Sequence, residues 1–110
     1  MADYDEIDPA IRQLIVDLNA AGYTTFSSCQ GKRSPEDFES GSHTDHAFIS
    51  FEEIPVGLKR NAWRYGLSVY NGGMSICPEY SDQRQTTYTQ RNRRFEERVR
   101  RLFKLEPKPP

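Results

Sequence analysis

The residues best suited to chemistry lie in one short segment, Ser27–Arg33, which reads Ser-Ser-Cys-Gln-Gly-Lys-Arg. A glycine lets the backbone approach a ligand closely, and successive N–H groups can form a concave anion site. Lys32 and Arg33 would add charge-assisted hydrogen bonds. We therefore predict an anion-binding loop, although a strand-end turn with solvated cations is an equally good interpretation. The predicted donors are Ser28, Gln30, Gly31, Lys32 and Arg33.

Two known phosphate-binding patterns are excluded for this segment. It lacks the glycine spacing of a P-loop. A cysteine phosphatase loop needs an arginine six residues after the cysteine, but the sixth residue after Cys29 is Pro35. The segment is therefore interpreted as a binding edge rather than as a reaction centre.

Cys29 is also a candidate nucleophile. A thiolate is favoured next to Lys32 and Arg33, and a catalytic cysteine needs a positioned base. His43 or His46 could supply that base through the long polar loop that follows. The alternative is a buried strand thiol, which is the commoner state of a free cysteine.

We expect that the protein needs no cofactor. A metal site is the alternative. The two cysteines and two histidines of the chain would together make a complete Cys₂His₂ zinc set. The cysteines lack the close pairing that is usual in zinc sites. The candidate ligands are Cys29, His43, His46 and Cys77.

The C-terminal part of the chain carries a basic helix. Residues 89–104 place Arg91, Arg94, Arg98 and Arg101 on one face at three- and four-residue spacing. The opposite face is an apolar stripe of Phe95, Val99, Leu102 and Phe103. We predict phosphate contacts from Arg94 and Arg98, with Tyr70 as a stacking partner. A solvated helix face with Glu97–Arg101 pairing is the alternative, and the acidic N-terminal residues could also pair with this helix.

Composition limits the class of protein. The chain has 110 residues, 35% of them hydrophobic and 28% charged, and a net charge of −1. We expect a single domain over residues 1–110, with an ordered core at about 8–104 and a frayed tail at 106–110. No apolar run is long enough for a membrane span, and the acidic start is unlike a signal peptide. We expect a cytoplasmic protein, and nucleic-acid binding would require a more basic domain.

The elements that position these residues follow from local patterns. Asp8 and Pro9 are typical of a helix start, Asp8 as the side-chain cap, and Gly22 is typical of its end. Strands are predicted at 23–29, 46–51, 67–70 and 74–77, with a short helix at 55–64, an irregular loop at 30–45 and a long helix at 89–104. Asn71-Gly72 predicts a tight hairpin. The expected fold is α+β, a four-stranded mostly antiparallel sheet covered on one face by two long helices.

The segment 24–32, Thr-Thr-Phe-Ser-Ser-Cys-Gln-Gly-Lys, resembles the Thr-Thr-Ser-Ser-Cys-Ser-Gly-Arg motif of the methyltransferases of tRNA wybutosine synthesis. That resemblance implies an α/β domain that uses S-adenosylmethionine and has this motif in its active site. In this chain Phe26 interrupts the motif, and Gln30 and Lys32 replace its Ser and Arg.

The order of a helix, Gly-aromatic-Thr, Ser-Cys-x-Gly, a polar loop and an aromatic strand is also similar to small bacteriophage and prophage proteins. It loosely resembles the phage sponges that sequester cyclic ADP-ribose signals of host immunity. Those proteins bind nucleotides between subunits through arginines and aromatic residues. The resemblance implies an anti-defence protein that acts in the host cytoplasm as a homo-oligomer.

Our leading prediction is therefore the binding and sequestration of a small, anionic, nucleotide-like ligand, without chemistry. One alternative is a methyltransferase-like or cysteine-dependent enzyme centred on Cys29. Another is a protein-binding module that uses an open sheet face.

Overall fold

The computed structural model describes residues 6–82 and 84–106 and confirms the α+β class. The elements, in chain order, are α1 (Pro9–Ala20), β1 (Thr25–Cys29), α2 (Pro35–Ser40), β2 (Phe48–Phe51), α3 (Val56–Asn61), β3 (Leu67–Tyr70), β4 (Ser75–Pro78) and α4 (Gln85–Leu102). A 3₁₀ turn over Ala62–Tyr65 follows α3 directly.

The four strands form one antiparallel sheet in the order β1-β2-β4-β3. The β3–β4 hairpin closes through Asn71, which has a φ of 55°, and the two glycines after it. Asparagine and glycine tolerate this left-handed backbone, so the hairpin forms where the sequence predicts it. β1 and β3 are consequently the two edges of the sheet.

Helices α1 and α4 share one hydrophobic core with the sheet. Their apolar stripes are buried against the inward-facing residues of the strands, as the helical periodicity predicts. The core contains Leu14, Ile15 and Leu18 of α1, Phe95, Val99 and Leu102 of α4, and Ile49, Phe51, Leu67 and Ile76 of the sheet. The predicted arrangement of two long helices covering one face is confirmed.

The acidic N-terminal and basic C-terminal parts of the chain meet at an ion pair between the buried Arg100 and the partly exposed Asp17. Arg100 Nη1 lies 2.8 Å from Asp17 Oδ2 and joins α4 to α1. The Arg100 side chain is 6% exposed, and it also donates to the carbonyl of Glu106. Burial raises the pKa of Asp17, but the hydrogen bonds from Arg100 and Gln13 outweigh it, so that the pKa is lowered.

The prediction that residues 30–45 lack regular structure is wrong at α2. Ser34 caps this short helix by accepting from the N–H of Asp37, Pro35 starts it, and Gly41 ends it with a φ of 71°. No residue of α2 is buried, so no apolar stripe marks it in the sequence. α4 likewise begins at Gln85, four residues earlier than predicted, because its first turn is polar.

The remaining expectations concern membrane spans and the C-terminal tail. In the described ranges, none of the helices is long and apolar enough to cross a bilayer. The predicted fraying of the C-terminal tail concerns residues that, beyond Glu106, lie outside the described part of the chain.

Candidate functional site

The candidate site is built where the end of β1 meets the start of α1. The prediction that Asp8 caps α1 with its side chain is wrong, because its carboxylate accepts the N–H of Gln30 at 2.9 Å instead. Gln30 returns the interaction, since its Oε1 accepts the N–H of Ala10 in the first turn of α1 at 3.2 Å. Each segment therefore supplies the hydrogen-bond partner that the other lacks.

This exchange brings Asp8 next to two of the predicted chemical residues. One ligand atom each from Asp8, Cys29 and His43 lie within 4.8 Å of one another. Asp8 Oδ2 is 3.5 Å from His43 Nδ1. The amide Nε2 of Gln30 is 3.3 Å from the other ring nitrogen of His43. We call Asp8, Cys29 and His43 the Asp-Cys-His cluster; no other such group of three forms within 6–82 and 84–106.

The thiol of Cys29 accepts two backbone N–H groups. Gly31 N lies 3.4 Å and Thr44 N lies 3.5 Å from the sulfur. Gly31 reaches this position with a φ of 74°, in the left-handed region. Cys29 is only 7% exposed, so its thiol is buried, as the alternative to a nucleophile predicts.

Asn92 of α4 closes the loop that carries these residues. Its side chain is fully buried, and its Nδ2 donates to the carbonyls of Lys32 at 2.7 Å and Asp45 at 2.8 Å. Its Oδ1 accepts the N–H of Ala47 at 2.9 Å and the hydroxyl of Tyr80. Asn92 is not among the residues predicted from the sequence. The signal for it is a polar residue in line with the apolar stripe of α4, three residues before Phe95.

The two cations of the predicted anion loop are both paired. Arg33 forms a two-pronged contact with Glu96 of α4, and both side chains are less than a fifth exposed. Lys32 Nζ lies 2.6 Å from Asp45 Oδ1, and this carboxylate is 55% exposed. Arg33 is therefore a structural residue of the loop, whereas Lys32 has a partner held only at the surface.

The structure separates the remaining predicted ligand residues from the loop. Ser28 pairs with Ile49 and so faces the side of the sheet that the helices cover. Arg94 is exposed on α4, about 200° around the helix from Asn92. Arg98 lies over Gly66, before β3. Tyr70 pairs with Ser75 on the opposite face of the sheet and is 42% exposed.

That opposite face, which we call the outer face, carries a shallow apolar cavity of about 410 Å³, lined by Thr44, His46, Phe48, Tyr70 and Cys77. Burial raises the pKa of Tyr70. Burial also raises the pKa of Cys77 to about 11, with a smaller effect of Glu79, so this thiol stays protonated. Thr44 joins the two features, since it lines the cavity and donates its N–H to Cys29.

The predicted Cys₂His₂ set does not assemble. Strand β2 lies between Cys29 on β1 and Cys77 on β4, a separation of two strand spacings or about 10 Å. His46 packs instead among aromatic rings, with ring centroids 4.2 Å from Tyr80 and 4.9 Å from Tyr88. Of the four residues, only Cys29 and His43 come together. Asp8 joins them, and its helix-start position gave no hint of this role.

A comparison with known protein families, with characterised proteins and with solved structures found no significant match to this chain.

Proposed function

We propose that the protein binds a small ligand that combines a flat, apolar ring with a negatively charged group, as a nucleotide does. The ring would lie in the outer-face cavity, and the charged group would contact Lys32. The observation that supports this most directly is the cavity itself, which has the volume of a small-ligand site and an exposed tyrosine in its wall.

Tyr70 is the stacking residue in this proposal. It stands 42% exposed at the outer face, and the ring of Phe48 lines the same cavity. Aromatic faces accept nucleobases without hydrogen bonds, so stacking gives affinity without strict base choice. The neighbouring Ser50 and Ser75 hydroxyls bond each other at 2.7 Å and are buried, which leaves the rings as the main contact surface.

Lys32 is the cation that a ligand can recruit. The Lys32 side chain is 14% exposed and its partner Asp45 is 55% exposed, so an anionic group that reaches Lys32 would take the place of the Asp45 carboxylate. Lys32 also lies close to the cavity, because its N–H donates to the carbonyl of Thr44 at 3.1 Å. Arg94 and Arg98 lie on α4, across the sheet, and would take part only from a second copy of the chain.

Calorimetric titration with AMP, adenosine and cyclic ADP-ribose tests this function. We expect AMP to bind more tightly than adenosine, since only AMP carries the charged group. Tyr70→Ala should weaken AMP binding about tenfold or more. Trp63→Ala is the matched control, because Trp63 is a 71% exposed aromatic residue outside the cavity.

Asp45→Asn tests the proposal with a variant that should strengthen AMP binding. This substitution releases Lys32 from its partner, so AMP should bind more tightly while adenosine binding is unchanged. Native mass spectrometry of the same samples gives the number of subunits. Absence of binding to every probe, or equal weakening by Tyr70→Ala and Trp63→Ala, would refute the proposal.

A further inference from the structure

We propose that the Asp-Cys-His cluster binds a divalent transition-metal ion of the zinc type. This site adjoins the outer-face cavity at Thr44, but none of its three ligands lines that cavity, and it does not depend on the proposed function. It differs from the Cys₂His₂ set of the sequence analysis in two of its ligands, because Asp8 replaces both His46 and Cys77.

The ligand types and their spacing suit zinc. A thiolate, an imidazole and a carboxylate are the three protein ligands that Zn²⁺ accepts, and a thiolate disfavours magnesium and calcium. Asp8 Oδ2 and His43 Nδ1 are 3.5 Å apart. With zinc bonds of the usual length, two ligands on a tetrahedral ion lie about 3.3 Å apart. The sulfur of Cys29 lies within 4.8 Å of a ligand atom of each of the other two residues.

Cys29 is prepared for coordination. The N–H groups of Gly31 and Thr44 both point at the sulfur of Cys29, which holds this atom beside Asp8 and His43. These bonds remain available to a metal-bound sulfur, because they use its other lone pairs. The second thiol of the chain, Cys77, lies on β4, outside the cluster.

His43 and Asp8 are both held in positions that are uncommon for their residue types. His43 has a φ of 65°, which is uncommon for a residue with a side chain, and such strain is concentrated at functional sites. Asp8 gives up the capping interaction of a helix N-terminus, which is usually worth about 1 kcal/mol. The amide Nε2 of Gln30 contacts the far nitrogen of the His43 ring at 3.3 Å. An amide N–H₂ group can only donate, so this contact favours the tautomer with its proton on Nδ1, and a metal ion at Nδ1 would have to displace that proton.

The proposed coordination leaves one position of a tetrahedral ion open. Three protein ligands with a fourth, exchangeable position are typical of catalytic rather than structural zinc. His43 is an exposed residue, so water can reach this position.

The chain contains its own matched controls, since one cysteine and one histidine lie in the cluster and one of each lies outside it. We would titrate the purified protein with Zn²⁺ in competition with a chromophoric chelator and count bound ions by native mass spectrometry. Wild type should bind one ion per chain. Cys29→Ser and His43→Ala should weaken binding at least 100-fold, whereas Cys77→Ser and His46→Ala should bind as wild type does.

Gln30→Glu tests whether the cluster binds metal, because a purely structural cluster would show no gain in Zn²⁺ affinity. The new carboxylate can accept the ring Nε2–H of His43, which leaves Nδ1 free for the metal, and it can still accept the N–H of Ala10. Outer-shell partners change metal affinity about 10–100-fold, so this variant should bind Zn²⁺ about tenfold more tightly. Circular dichroism of each variant verifies that it has folded.

Alkylation by iodoacetamide distinguishes a metal thiolate from a free nucleophile. One equivalent of Zn²⁺ should protect Cys29 and leave Cys77 unaffected. Three results would overturn the proposal: no Zn²⁺ binding by folded wild type, equal weakening by the cluster and control variants, or alkylation of Cys29 at the same rate with and without Zn²⁺.

Discussion

Asn92 is the single residue on which the loop depends most. Its four partners come from Lys32, Asp45, Ala47 and Tyr80, and all of them would lose a buried partner together. A buried polar group without a hydrogen bond costs about 1–3 kcal/mol. Asn92 therefore carries more of the stability of the site than any of the predicted ligand residues.

We predict that Asn92→Ala lowers the free energy of unfolding by about 3 kcal/mol. Urea denaturation followed by circular dichroism measures this change. Asn61→Ala is the control, because the Asn61 amide makes one exposed hydrogen bond, to the carbonyl of Gly57. Its cost should stay within about 0.5 kcal/mol. Similar losses in the two variants would contradict the role of Asn92.

At this scale the sequence revealed residue types but not their partners. The segment around Cys29 was predicted to offer donors to an anion, but its backbone N–H groups from Gln30 to Arg33 donate within the protein, to Asp8, Cys29, Thr44 and Asp37. Lys32 and Arg33 were predicted to be available cations, yet Asp45 and Glu96 pair with them. Glu96 is 63 residues away along the chain from Arg33, and such long-range pairing leaves no local pattern.

Among the elements, the loop between β1 and β2 shows how the packing around a glycine differs even where the backbone conformation is the same. Gly31 and Gly41 both have left-handed backbones, with φ values of 74° and 71°. A Cβ on Gly31 would lie 2.4 Å from Ala47 N, whereas a Cβ on Gly41 would meet nothing within 4 Å. The two glycines therefore have the same backbone conformation, but only Gly31 is tightly packed against its neighbours.

We predict that Gly41→Ala costs about 1 kcal/mol, the price of the left-handed backbone alone. Gly31→Ala should cost at least about 2 kcal/mol more, because overpacking adds to that strain. Thermal and urea unfolding of the two variants measure the difference. Equal destabilisation would show that the close approach of Gly31 to Asn92 and Ala47 relaxes easily.

The long helices, the hairpin and the alternation of buried and exposed residues along the strands were predictable, because each depends on a local sequence pattern. Ile49 and Phe51 of β2 and Ala47, directly before the strand, alternate with less buried residues and are all fully buried. α2 was not predicted, because its capping residues are present but its faces are equally polar. The side-chain role of Asp8 was predicted wrongly, because Gln30 competes for a carboxylate that would otherwise cap α1.

For the whole molecule, His46 links stability to pH. Burial lowers its pKa from the usual 6.5, against a smaller, raising effect of Asp45. Tyr80 and Tyr88 pack on the ring, and the guanidinium of Arg91 lies over Tyr80, 5.7 Å from its centroid. The unfolded chain therefore binds a proton at this residue more readily than the folded protein does.

We predict that the free energy of unfolding falls as the pH drops below about 6.5 and continues to fall until the lowered pKa of His46 is reached. The slope of a single proton is at most about 1.4 kcal/mol per pH unit. Urea denaturation at a series of pH values measures it. His46→Phe should remove this part of the pH dependence, and His43→Ala should retain it. An unchanged profile in His46→Phe would contradict the prediction.

The exchange of hydrogen bonds between Asp8 and Gln30 also has a consequence for folding kinetics. A helix that carries its own cap can complete its first turn while the rest of the chain is still unfolded. α1 instead receives its cap from a side chain 20 residues further along, so this turn gains its partner only after β1 has docked. Substitution of Gln30 should therefore accelerate unfolding and leave the folding rate nearly unchanged.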